Sequence, residues 1–118
     1  MSTFDACEPL FDASVGATAQ TCKAAGGKLY GIVIGNIVAA QGFLQLFDAL
    51  AADVTVGATT PNLSIPVAAG DGANYGGIDF VVPTQGIGFH VGITYACTTT
   101  PTGNTALSTP PIGNFLYQ

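Results

Sequence analysis

Residues 86–95 read Gly-Ile-Gly-Phe-His-Val-Gly-Ile-Thr-Tyr. Ile87, Phe89, Val91, Ile93 and Tyr95 take every second position, and Gly88, His90, Gly92 and Thr94 fill the places between them. Successive side chains leave a strand on opposite sides, so a period of two carried by β-branched and aromatic residues marks a strand with one buried face. The stretch predicts one central strand, with Ile87, Phe89, Val91 and Ile93 as the most buried set. No other segment alternates for so long.

Outward from this strand the pattern repeats in shorter pieces. Ile78, Phe80 and Val82 alternate with Asp79 and Val81 until Pro83 stops them, and Leu63, Ile65 and Val67 alternate with Ser64 and Pro66. A proline cannot donate to a ladder, which places the second of these at an edge or on a bulge. Lys28–Asn36 is apolar on both alternating sets, with Tyr30, Ile32 and Ile34 on one and Leu29 and Val33 on the other, so it predicts a strand buried on two sides. Asn114–Gln118 predicts a short closing strand, and the Thr/Pro/Gly-rich 97–111 a loop.

Residues 37–53 are ambiguous. Ala40, Leu44, Phe47 and Ala51 fall at helical spacing, whereas Gly42 breaks a helix interior and GFLQLFD between Gly42 and Asp48 suits a strand. The two readings stand level on physical grounds. Residues 1–27 sustain neither period and hold a few large anchors, Phe4, Leu10 and Phe11, in a Gly/Ala/Thr background. They predict an extended N-terminal arm with a short strand around Ala13 to Ala19, followed by a domain over 28–118. Six or so short strands between Gly, Pro and Thr connections give an all-β fold, a single β-sandwich or a jelly-roll-like barrel.

Composition narrows the function classes. The chain has 118 residues, of which 8% are charged, against roughly a quarter in ordinary soluble domains. That length suits one domain, and so little charge implies a surface covered by copies of itself or by another protein. Two lysines, Lys23 and Lys28, face seven carboxylates for a net charge of −5, which argues against nucleic acid as a partner. No apolar run is long enough to cross a membrane. The N-terminus lacks the basic and apolar regions of a signal peptide, so the expectation is a protein made and used without export by that route.

The residues that could carry chemistry have plainer readings. His90 has no Ser or Cys elbow beside it and reads as a polar group on a sheet face. Asp71 and Asp79 flank DGANYGGID, whose content is like a calcium loop but whose spacing is not, so it predicts a plain turn. Asp48 reads as the cap of a local turn. Cys7, Cys22 and Cys97 have no metal-ligand spacing. They are either three reduced thiols or a Cys7–Cys22 bridge with one thiol left. No catalytic residue, metal or cofactor is expected, and the chain does not read as an enzyme.

LYGIVIGN from Leu29, QGFLQLFDA from Gln41, LSIPV from Leu63 and GIGFHVGITYACTTTPTG from Gly86 together resemble a group of small tailed-phage virion proteins. The most recognisable parts are Gln45-Leu46-Phe47-Asp48-Ala49 and Thr98-Thr99-Thr100. The resemblance covers roughly residues 28 to 107 and leaves out the first 27. It implies a β-sandwich, with GFLQLFD as a strand, that decorates or cements the capsid exterior or forms part of a head fibre, with no chemistry. The partner it implies is the major capsid protein or another virion protein. It further implies a homo-oligomer, a trimer on a capsid symmetry axis being favoured, and a virion location after assembly in the host cytoplasm. The arm lies outside the resemblance, but its spaced apolar anchors Phe4, Leu10 and Phe11, too weakly patterned to build a core, are the candidate interface with a partner surface. The other function carried forward is a receptor- or carbohydrate-binding β-module of a phage fibre, which should show clustered aromatics beside Asp or Asn.

Overall fold

The computed structural model describes residues 7–81 and 85–118. Its strands are β1 (Glu8–Asp12), β2 (Gln20–Lys23), β3 (Gly27–Asn36), β4 (Gly42–Phe47), β5 (Leu63–Val67), β6 (Gly76–Val81), β7 (Ile87–Phe89), β8 (Ile93–Thr98) and β9 (Ile112–Tyr117). One sheet runs β1-β9-β3-β6, with β7 on β3 beyond the end of β6, and the other runs β2-β8-β4-β5. Every pairing is antiparallel. Early strands pair with late ones, β1 with β9 and β2 with β8, while the middle of the chain folds back between them. Set β7 aside and this is the eight-stranded jelly roll, a sandwich of two interlocked Greek keys.

The core fills the space between the sheets. Leu29, Ile32 and Ile34 of β3 and Phe115 of β9 face Leu44 and Leu46 of β4, Val67 of β5, and Ile93, Tyr95 and Cys97 of β8. The rings of Tyr95 and Phe115 stack across this space at a centroid distance of 4.4 Å, an arrangement that adds to their apolar burial. Segment 42–47 is a strand, which settles the helix–strand ambiguity. Tertiary pairing on both sides of β4 outweighs its local helix propensity. Leu63–Val67 is an edge strand, as Pro66 predicts.

The longest alternating stretch is two strands, not one. β7 belongs to the first sheet and β8 to the second, and the chain bends between them at His90, Val91 and Gly92. Phe89 and Ile93 are buried as expected, but Ile87 is half-buried and Val91 is 51% exposed. The cause is Asp48, which follows β4. The His90 N–H donates to its Oδ1 and Oδ2 at 2.9 and 3.0 Å, and the Val91 N–H donates to Oδ1 at 2.8 Å. The Gly92 N–H lies 3.4 Å from the same oxygen. Three successive amides turned toward one carboxylate cannot continue a ladder. Asp48 is thus not the local turn cap expected; it holds a bend more than forty residues away.

The N-terminal segment is built into the sandwich. β1 and β2 add an edge strand to each sheet, and Val15 and Cys22 lie in the core. The Tyr95 hydroxyl donates to Asp12 Oδ2 at 2.8 Å, and the Ser14 N–H donates to Asp12 Oδ1 at 3.0 Å. The arm expected over 1–27 is therefore not a separate element in its described part, from Cys7 onward. The short strand expected around Ala13 to Ala19 is the irregular crossing between sheets. Here Val15 is anchored by its N–H to the Pro111 carbonyl at 2.7 Å.

Candidate interaction surface

The two outer faces of the sandwich differ. On the β2-β8-β4-β5 sheet the outward side chains Gln45, Phe47, Thr94, Ala96 and Thr98 are buried. The connections 48–62 and 99–111 fold across them. Gln45 Nε2 donates to Thr98 Oγ1 at 2.6 Å and to the Gly103 carbonyl at 3.0 Å. Thr98 Oγ1 in turn donates to the Thr100 carbonyl at 2.8 Å, and Thr94 Oγ1 to the Ala49 carbonyl at 2.7 Å. This face is closed, and Thr98 and Thr100 of the threonine run hold one of its covering loops.

The outer face of the β1-β9-β3-β6 sheet is open. Register fixes its rows: Phe11, Asn114, Val33 and Asp79 stand side by side, as do Pro9, Leu116, Gly31 and Val81, then Ile112, Gly35 and Gly77. Phe11 is 63% exposed, Val81 66%, and Val33 and Leu116 are partly open, while Tyr75 beyond the end of β6 is 60% exposed. An uncovered antiparallel face ordinarily alternates to polar residues. This one presents valine, leucine, phenylalanine and proline around one carboxylate, Asp79. The glycines keep it flat, since Leu116 lies across Gly31, where a Cβ would stand 3.1 Å from its Cδ1. Ile112 and Tyr75 lie across Gly35 in the same way. A shallow hollow of about 350 Å3 opens between Val33, Gly35, Gly77 and Asp79.

The free edges are guarded. β1 carries Pro9, β5 carries Pro66, β2 ends on Lys23 and β6 carries Asp79. Prolines and charges on edges oppose strand addition. The free edges are thus poor sites for strand addition, and the uncovered apolar surface lies on the face.

Of the three residues expected at an interface, Phe11 stands on the open face. Leu10 points the other way and packs on the core, and Phe4 lies outside the described residues. Val33, Leu116, Val81, Ile112 and Pro9 were not singled out by the sequence. The signal for Val33 was present in Lys28–Asn36, whose two apolar sides fit an open apolar face as well as a doubly buried strand.

The other candidates are occupied locally. Asp71 Oδ1 accepts from the Ala73 and Asn74 N–H groups at 2.9 and 2.6 Å, and Asn74 Nδ2 donates to Oδ2 at 3.0 Å. These bonds, that from the Asn74 side chain foremost, pull the carboxyl down to about 2, so the loop is an Asx-type turn. Among the described residues no three His, Cys, Asp or Glu side chains come together as metal ligands. His90 is exposed in the bend. All three cysteines are free, Cys7 exposed and the others buried. Burial pushes the Cys22 thiol up to about 12 and that of Cys97 up to about 11. Compared with known proteins, the chain matches no family model, no curated protein and no solved structure.

Proposed function

We propose that this chain is a structural virion protein of a tailed bacteriophage, a subunit that decorates or cements the capsid exterior by apolar protein–protein contacts. The observation that carries the reading is the flat, open, apolar face of the β1-β9-β3-β6 sheet on a subunit whose other face is closed and whose edges are guarded. The fold is compatible, because jelly rolls are widely used in viral capsids, and the resemblance over residues 28 to 107 points the same way. In this reading the protein works as a homo-oligomer against the major capsid protein or another virion protein, and catalyses nothing. Quantifying the chain on purified virions tests it. A fixed copy number relative to the major capsid protein supports the reading, and absence from virions refutes it.

One observation favours a second reading. Tyr75 is largely exposed beside the hollow that Asp79 lines, and an aromatic ring with a nearby carboxylate is a sugar-binding arrangement. Binding of host surface glycans that is lost in Tyr75→Ala would favour a fibre module over a capsid subunit.

A further inference from the structure

We propose that the outer face of the β1-β9-β3-β6 sheet pairs with the same face of a second copy of this chain, about a two-fold axis that sets Asp79 of each copy against Lys28 of the other. The inference rests on reading that face as an association surface, and names its occupant.

Charge placement carries the argument. Among the described residues two ionic side chains border the apolar rows, and they have opposite signs at opposite ends. Asp79 stands on β6 opposite Val33, and Lys28 stands at the start of β3 opposite Gly88, five residues from Val33 along the strand. Leu29 is buried inward and Lys28 is exposed, so alternation puts Lys28 on the outer side. Neither side chain has an ionic or hydrogen-bond partner among the described residues. The bulge between Leu29 and Gly31 keeps Lys28 and Val33 on one side of the sheet, four steps apart by the register on β9, so the separation of their levels is roughly 13 Å at about 3.3 Å per residue, too far for a pair within one subunit.

A two-fold axis lying in the interface and crossing the strands exchanges these levels. It passes near Gly31, midway between Lys28 and Val33, where Leu116 lies over the glycine and Val81 stands beside it. Asp79 then meets the level of Lys28 on the facing sheet, and both pairs form at once because a two-fold interface is isologous. Facing sheets pack about 10 Å apart with strands aligned to within about 30°, a gap that a lysine and an aspartate reaching from opposite sides can bridge. Leu116, Val81 and Val33 fill the middle of the contact, and the guarded edges direct copies to this face.

Size sets the strength. Four strands about 4.8 Å apart and roughly 20 Å of strand length give a plan area near 400 Å2 per copy, against about 800 Å2 per partner in a standard interface. The pair is therefore weak and concentration-dependent. A face complementary to itself closes with two copies, which departs from the trimer implied by the phage resemblance.

Sedimentation across a micromolar-to-millimolar series tests the proposal on the full chain. The parent should show a monomer–dimer equilibrium. Val33→Asp, Lys28→Asp and Asp79→Lys should each weaken it by about tenfold or more through an unpaired or like-signed contact. The double variant Lys28→Asp/Asp79→Lys should restore association to within about threefold of the parent. All three substituted positions are exposed, and circular dichroism checks that each of the four variants is folded. A parent that stays monomeric, a trimer, or a double reversal no better than the singles overturns the proposal. Binding of the same proteins to undecorated capsids separates the two readings. A monomeric parent whose capsid binding is lost in Val33→Asp gives the face to a foreign protein and spares the proposed function. A dimer with no place on virions leaves the pairing standing and removes that function.

Discussion

Replacing Asp48 with alanine removes the acceptor that bends the chain between β7 and β8. Three N–H groups lose their partner: His90 and Val91 at 2.8–3.0 Å and Gly92 at 3.4 Å. A sheltered bond to a charged acceptor is worth roughly 1.5–3 kcal/mol, but this corner is partly open to water, so about 0.5–1 kcal/mol for each applies. The loss should total about 2 kcal/mol for Asp48→Ala, and about half of that for Asp48→Asn, which keeps one carbonyl oxygen for the Val91 N–H. Urea unfolding followed by tyrosine fluorescence or far-ultraviolet dichroism measures it. The effect carries a pH signature, because the amides of Val91 and His90 hold the Asp48 carboxyl below its usual value. A depressed folded pKa contributes stability above the unfolded value of about 3.9, and that part is lost as pH falls through the folded pKa. The gap between parent and Asp48→Ala should thus be full at neutral pH and shrink below about pH 4. A gap under 0.5 kcal/mol, about half of one bond, or one that does not change with pH, would refute the bend as Asp48's work.

Gly77 has φ +137 inside β6, and a Cβ there would run into the Ile34 carbonyl. Gly77→Ala should therefore cost at least about 2 kcal/mol, while Gly88→Ala, with open space around it, should cost under about 0.5; equal denaturation midpoints for the two would contradict the backbone described here. Phe89→Ala should lose about 3–5 kcal/mol as a core aromatic, whereas Val91→Ala, largely exposed, should stay within about 0.5, and the reverse order in urea would restore a single central strand. One thiol of the native protein, Cys7, should alkylate readily at mild alkaline pH and Cys22 and Cys97 slowly, as mass spectrometry of labelled peptides would report. Deleting residues 2–27 should abolish a cooperative thermal transition, since it removes β1, β2, Val15 and Cys22 together; a shortened chain that unfolds cooperatively would instead make the segment dispensable.

The class of fold was legible because period two is a local property. Leu63–Val67, Ile78–Val82 and the two halves of 86–95 each announce a strand without help from the rest of the chain. What decides the sheet a strand joins is not local. Residues 86–95 alternate without interruption, and the carboxylate of Asp48, carried just past the end of β4, breaks them in two. The same limit affected the N-terminal segment. Glu8–Asp12 and Gln20–Lys23 have weak patterns, and they become strands because β9 and β8 offer them ladders and Asp12 meets Tyr95 across the sandwich. For the interaction surface, the sequence supplied Phe11 and the shortage of charge. It could not tell whether Val33 faced a second layer or open water, because both arrangements place a valine at the same point of the same alternation.

The closed outer face of β4 and β8 has a further consequence, in time rather than in space. These strands are flanked by other strands, packed on the core beneath and sealed by the two loops that Gln45, Thr94 and Thr98 fasten. Backbone opening there needs both loops to leave first, so amide hydrogens of β4 and β8 should exchange with deuterium at the slow, global limit. Those of β1 and β6, edge strands of the open sheet, should exchange by smaller and faster fluctuations. The subunit then has a quiet half and a yielding half, and the yielding half is the one that carries the open apolar face, able to adjust its surface while the chain behind it stays in register.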